Sequence, residues 1–165
     1  MAKVAVIMGS KSDFAVVKPA VAALHQFGVE TEVRVISAHR TPDAAHAFAA
    51  SAQENGFEVI ICAVGKAAHL GGVIAAYTTL PVIGLPVKTD MMGGLDSLLS
   101  IVQMPSGIPV ATVGVNGGEN AALLAAQILA LRYPEIGEKL KAFKKQMAEK
   151  IAADDAALQE ELRAL

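Results

Sequence analysis

Five short runs rich in Val and Ile, at Val4 to Met8, Val33 to Ile36, Val59 to Ala63, Val82 to Val87 and Val110 to Val115, alternate with alanine-rich segments. Runs that are apolar without polar alternation fit strands covered on both faces, the condition of a parallel sheet. The segments between and after them, at about 13–27, 42–55, 67–79, 94–103 and 118–132, carry their apolar residues at helical spacing. Strand and helix in unbroken alternation leave one economical arrangement, a parallel sheet with right-handed crossovers and helices on both faces. The expected fold class is therefore α/β, a three-layer sandwich with a central parallel sheet.

Beyond Tyr133-Pro134 the chain changes character, with Lys, Glu and Ala surrounding Leu140, Phe143, Met147 and Ile151 at spacings of three and four. This stripe predicts an additional C-terminal helix, amphipathic and in need of an apolar partner on its own domain or on a neighbouring subunit. No linker divides the chain, so residues 1–165 are expected to form a single domain with 134–165 as a helical extension. Its 53% hydrophobic and 18% charged content is more apolar than usual for a soluble domain and points to surface buried between subunits. No apolar run reaches the roughly 18 residues of a membrane span. The beginning of the chain lacks the layout of a signal peptide, which gives an expected cytoplasmic location. The single cysteine, Cys62, lies in an apolar run and reads as a buried small hydrophobe, with neither a disulfide nor a cysteine cluster for zinc. A net charge of -2 gives no extended basic face for nucleic acid.

The chemistry sits where strands give way to helices. Gly9-Ser10-Lys11-Ser12-Asp13 follows the first strand, and its glycine, hydroxyls and helix start suit a phosphate. It has neither the dinucleotide fingerprint nor the nucleotide-triphosphate loop. Asp13 would face that phosphate badly, so it is assigned to ribose hydroxyls; the alternative is that Ser12 or Asp13 caps the first helix. After the second strand, Ser37-Ala38-His39-Arg40-Thr41-Pro42-Asp43 sets a histidine between two anion-binding groups, with Thr41 and Pro42 marking a helix start. After the third, Gly65-Lys66-Ala67-Ala68-His69-Leu70-Gly71-Gly72 offers small residues that leave room for a flat ring. His69 there either contacts substrate or holds the loop backbone. His25 and His46 fall within helical segments and read as structural or surface residues. Met91, Met92 and Met104 read as core or interface, and Asn116-Gly117-Gly118-Glu119-Asn120 as a helix cap or a close backbone approach.

Gly9-Ser10-Lys11-Ser12-Asp13, Ser37-Ala38-His39-Arg40-Thr41-Pro42, Ala67-Ala68-His69-Leu70 and Asp96-Ser97-Leu98-Leu99-Ser100-Ile101-Val102-Gln103-Met104-Pro105 together resemble the N5-carboxyaminoimidazole ribonucleotide mutase family of purine biosynthesis. The likeness runs from about residue 3 to residue 132, and the ordered set is far more specific than any one motif. It implies a flavodoxin-like sheet, no metal or organic cofactor, a ribonucleotide substrate, and a homo-octamer with active sites between subunits. It implies that His39 is catalytic and carries a proton. It assigns Ser10, Ser37 and Arg40 to the phosphate and Asp13 to the ribose, with Gly9 and Ser12 in the same loop. It sets His69, with Gly65, Lys66, Ala67 and Leu70 around it, toward the base and the migrating carboxyl group.

Two positions depart from the family pattern: Lys66 stands where glycine is usual, and Gly71 where proline is usual. Both border the expected path of the carboxyl group. A carboxylase taking free carbon dioxide and unmodified aminoimidazole ribonucleotide is therefore the alternative reaction. Lys66 either turns to solvent or steadies a carboxylate. A flavin-mononucleotide carrier of the same fold is the alternative from another class, disfavoured by an aromatic content of 4% and no Trp.

Overall fold

The computed structural model describes residues 1–165. Five strands, β1 (Lys3–Met8), β2 (Glu30–Val35), β3 (Val59–Val64), β4 (Val82–Pro86) and β5 (Ala111–Thr112), form one parallel sheet in the order β2-β1-β3-β4-β5. Helices α1 (Phe14–Gln26), α2 (Pro42–Ser51), α3 (Leu70–Ala76), α4 (Leu95–Val102) and α5 (Gly118–Ala130) fill the crossovers and cover the sheet, and α6 (Pro134–Arg163) follows. A 3-10 turn, Lys11–Asp13, leads into α1.

The central strands explain the continuous apolar runs. In β1, Val4, Val6 and Met8 point into one core with α1, α5 and the start of α6, while Ala5 and Ile7 point into a second core beneath α2 and α3. Each face is buried, so each position must be apolar, and burying a Val, Leu or Ile side chain contributes about 1.5–3 kcal/mol. Gly84 in β4 is required by packing, since a Cβ there would overlap Ile101 of α4.

Several boundaries differ from the sequence reading. β2 begins at Glu30 rather than Val33, because it is an edge strand whose exposed side carries Glu30 and Glu32, both paired with Lys3, at 3.9 Å and 3.5 Å. Charge on an edge strand blocks pairing with another chain. β5, the other edge, keeps only two residues of the expected 110–115 run. α2 ends at Ser51 and α3 starts at Leu70, which leaves residues 65–69 as a true loop. Cys62 is buried, and burial pushes its thiol up to about 12.

α6 is docked only at its beginning. Ile136 and Leu140 are buried, Phe143 meets Phe27 edge to face at 6.0 Å, and Lys139 Nζ donates to the Phe27 carbonyl at 3.0 Å, just past the end of α1. A cation there also complements the C-terminal end of the α1 dipole. From Lys144 onward every residue is exposed, so the helix projects about 30 Å at 1.5 Å per residue.

All five strands run the same way, so the loops after β1, β2, β3 and β4 lie along one rim of the sheet. That is where open α/β sheets bind ligands.

Candidate active site

The loop after β1 is closed by its own hydroxyls. Ser10 Oγ accepts from the Ser12 N–H at 3.3 Å and from the Ser12 hydroxyl at 2.8 Å, so Ser10, not Ser12 or Asp13, caps the turn into α1. Asp13 occupies the residue before α1 without making a capping bond. Burial pushes its carboxyl above the ordinary carboxylate range, against the lowering effect of hydrogen bonds from Ser12 and the Ser10 backbone. A half-satisfied carboxylate of this kind is suited to accept from a ligand hydroxyl.

The loop after β2 is closed in the same way. Thr41 Oγ1 accepts from the Ser37 N–H and donates to the Ser37 carbonyl, each at 3.0 Å. This hydroxyl locks the His39 turn instead of capping α2, a correction to the sequence reading. Ser37 Oγ in turn accepts from the Arg40 N–H at 3.2 Å, and Arg40 Nη2 reaches across to the Gly9 carbonyl at 3.2 Å. The guanidinium thereby joins the first loop to the second while keeping donors free for an anion.

The loop after β3 is built differently. Lys66 has φ 60, a left-handed conformation that costs a non-glycine residue about 1–2 kcal/mol. It is held from behind by α4: its N–H donates to Ser97 Oγ at 2.9 Å, and Ser97 is fully buried. Three residues on, His69 Nδ1 lies 2.9 Å from His39 Nε2, with the rings at 81°. Of the two ring nitrogens of His39, Nε2 is thus engaged by His69 and Nδ1 has no protein partner.

The loop after β4 completes the rim. The Lys88 N–H donates to Asn116 Oδ1 at 2.9 Å, and the Thr89 hydroxyl donates to Asp96, holding that carboxyl below its usual range. Asn116 therefore ties two loops together and does not cap α5, which begins after Gly117 without a side-chain cap. Met91 and Met92 are 63% and 76% exposed, so neither is core. Met104 packs on Gly72, whose missing Cβ makes room for its sulfur.

Between these loops lies an open cleft of about 730 Å³, a size typical of small-molecule sites. Gly9, Ser10, Ser12, Asp13, Ser37, His39, Arg40, Gly65, Lys66, Ala67 and Leu70 all line it. His69 does not; it stands behind His39. Val87, Lys88, Thr89 and Asp90 also line the cleft and were not among the candidates from sequence. The signal for them in the sequence is their position directly after β4, on the rim that carries the other three loops. His25 and His46 lie elsewhere, the first hydrogen-bonded to Thr31 at 2.7 Å and the second against Tyr77 at 4.3 Å between ring centroids. No three His, Cys, Asp or Glu side chains converge in a way that would hold a metal ion.

Comparison with known proteins gives a consistent picture. Residues 3–150 match the family model described as AIR carboxylase. A protein of Pyrococcus abyssi named N5-carboxyaminoimidazole ribonucleotide mutase is 59% identical over 89% of this chain and 84% of its own length. Proteins of the same name are 53% identical in Thermotoga maritima, over 92% of this chain and 88% of theirs, and 54% identical in Mycobacterium tuberculosis, over 95% and 90%. The crystal structure of Treponema denticola PurE superposes with a TM-score of 0.86 at 31% identity, covering 96% of this chain and 99% of that one.

Proposed function

The chain belongs to the AIR carboxylase family, and from that premise we propose that it converts N5-carboxyaminoimidazole ribonucleotide to 4-carboxy-5-aminoimidazole ribonucleotide, as a mutase of purine biosynthesis. The observation that carries the reading is a cleft lined together by Ser10, Ser37, the Arg40 guanidinium and a histidine paired with a second one. Ser10, Ser37 and Arg40 hold the phosphate. Asp13 accepts from the ribose. Because a donated hydroxyl favours the ionised carboxylate, affinity should fall as pH drops through the raised Asp13 pKa.

His39 carries the proton. As an imidazolium it gives a proton to the carbamate nitrogen, the N–C bond breaks, and carbon dioxide is released beside the freed amine. The electron-rich ring carbon C4 then attacks that carbon dioxide. Neutral His39 takes the proton that C4 loses, which restores the aromatic ring and returns the imidazole to its starting state. One nitrogen must therefore face the substrate in both halves, and Nδ1 is the one without a protein partner. His69 fixes the ring by holding Nε2.

Carbon dioxide escapes into bulk water unless the cleft is closed. In a single chain Ser12, His39, Arg40, Lys66 and His69 are all exposed, which supports sites walled by a neighbouring subunit. The apolar side chains Met147, Ile151, Leu158 and Leu162 on the projecting part of α6, each 45–68% exposed, support the same assembly. We take the assembly to be the octamer that the family resemblance implies, and place it in the cytoplasm, where phosphorylated ribonucleotides are retained. Ile151→Glu together with Leu158→Glu should lower the mass seen by light scattering; an unchanged mass removes the arm from the interface.

The function is tested by supplying each ribonucleotide with and without bicarbonate. Product from the carbamate in the absence of bicarbonate is expected. Product only from unmodified aminoimidazole ribonucleotide plus bicarbonate would assign the carboxylase reaction instead.

A further inference from the structure

Among the residues that line the cleft, Lys66 is the one for which the fold accepts backbone strain. Its φ of 60 lies where glycine is at ease and lysine is not. The conformation is held in place by the fully buried Ser97 hydroxyl on its N–H. Its ammonium takes part in no ion pair of the chain. Strained residues that their surroundings hold firmly are characteristic of working sites, where a side chain must be presented in one place.

Sheet order fixes that place. Arg40 binds the Gly9 carbonyl over β2 and β1. Lys66 follows β3, on the other side of β1, in the same loop as the histidine that holds His39. Neighbouring strands are about 4.8 Å apart, so the loops that carry the two cations are about 10 Å apart, and His39 reaches from the Arg40 loop to the Lys66 loop through His69. A substrate that puts its phosphate on Arg40 and its ring on His39 has its second anionic group on the Lys66 side. We propose that Lys66 is a specificity-determining residue: its ammonium binds the carboxylate of the carboxylated ribonucleotides and is what makes this cleft prefer them to unmodified aminoimidazole ribonucleotide. The proposal rests on the mutase reading above.

The experiment is calorimetric titration of the full-length protein with 4-carboxy-5-aminoimidazole ribonucleotide and, separately, with 5-aminoimidazole ribonucleotide. Parent, Lys66→Met and Lys66→Gly are compared. Lys66→Met keeps the strain and the stem but removes the charge. It should weaken the carboxylated ligand by about tenfold or more, as for a lost charged hydrogen bond, and leave the other ligand within about twofold of parent. Lys66→Gly removes the strain as well, so it should melt at or above the parent temperature while showing the same loss, which keeps the test open if the Met variant folds poorly. Turnover of the carbamate by the parent is measured first, and its absence would overturn the mutase reading itself. Normal parent turnover with unchanged affinities in both variants would overturn the role of Lys66 alone, leaving its ammonium in solvent. An equal loss for both ligands would also overturn it, because a carboxylate partner must discriminate.

Discussion

The two sides of the cleft are built on opposite principles. On one side, the loops after β1 and β2 close on themselves: Ser10 is bonded by Ser12, Ser37 by Thr41 and Arg40, and no residue between 9 and 41 other than Gly28 has a positive φ. On the other side, the loops after β3 and β4 carry Lys66, Met92, Gly93 and Gly94 in left-handed conformations and are propped from behind by Ser97, Asp96 and Asn116. Each loop of the first side is thus closed by residues two to four positions apart, and the Arg40 bond to the Gly9 carbonyl joins the two loops. The second side depends on more distant partners: Ser97 and Asn116 lie about thirty positions from the groups they hold, and Asp96 lies seven from Thr89. On the proposed reading, a locally closed anchor for the phosphate and a remotely propped wall for the reacting group let one fold alter its chemistry without losing its grip on a ribonucleotide.

The largest effect should come from cutting the link between the two sides. His39→Asn removes both the proposed proton carrier and the 2.9 Å contact with His69. Turnover should fall by about 10²-fold or more, the usual contribution of general acid–base catalysis. Binding of the ribonucleotide should persist, since Arg40 and the serines are untouched. Near-parent turnover would sink both the mechanism and the idea that the sides meet at this residue.

Arg40→Ala should act on the phosphate side alone, weakening ribonucleotide affinity by about 1.5–3 kcal/mol for the loss of a charged hydrogen bond. The change should be the same for carboxylated and uncarboxylated ligands, because both carry the phosphate. An affinity loss confined to the carboxylated ligand would show that the two sides are not separable as described.

The contrast also explains what could be read from sequence. Ser10, Ser12 and Ser37 are legible because their partners are near neighbours in the chain, so a short motif contains each closed loop; Arg40 is legible as part of the second motif, although its bond to Gly9 crosses to the first. Ser97 is not, since a hydroxyl within the amphipathic α4 looks like an ordinary polar position, and nothing local reveals that it is fully buried on the N–H of Lys66. The same division runs through the fold. β1, β3 and β4 were legible because both faces are covered, which forces unbroken apolar runs. The first half of β2 was hidden by Glu30 and Glu32, which an edge strand tolerates and a buried one does not. Thr41 and Asn116 have the composition of caps, but the preceding loop residue Ser37 claims the Thr41 hydroxyl and the distant Lys88 N–H claims the Asn116 side chain.

Ser97→Ala should test the remote prop. The Lys66 N–H would lose its acceptor, with a loss of about 1 kcal/mol of stability for one net hydrogen bond. The functional signature should be selective: weaker discrimination between carboxylated and uncarboxylated ribonucleotides, with the phosphate contribution measured by Arg40→Ala unchanged. Parent-like melting and parent-like discrimination together would mean that the second side holds its shape without Ser97.

The smallest effect should come from stiffening that same side. Gly71 is the second residue of α3, its φ is not positive, and its N–H makes no backbone hydrogen bond, as befits the first turn of a helix. A Cβ there would meet Val110 at 3.5 Å and Cys62 at 3.8 Å, ordinary contact distances. Proline here therefore loses no backbone hydrogen bond, and its Cβ makes only ordinary contacts. Gly71→Pro should stabilise the protein by about 0.4–1 kcal/mol by restricting the unfolded chain. For a domain of this size that is a rise in melting temperature of roughly 1–4 °C. The opposing term is local, because a residue preceding proline is pushed away from helical backbone angles and Leu70 is already the first helical residue. A fall in melting temperature would mean that Leu70 cannot yield. It would also place the rigidity of the second side in the α3 backbone rather than in the props from α4.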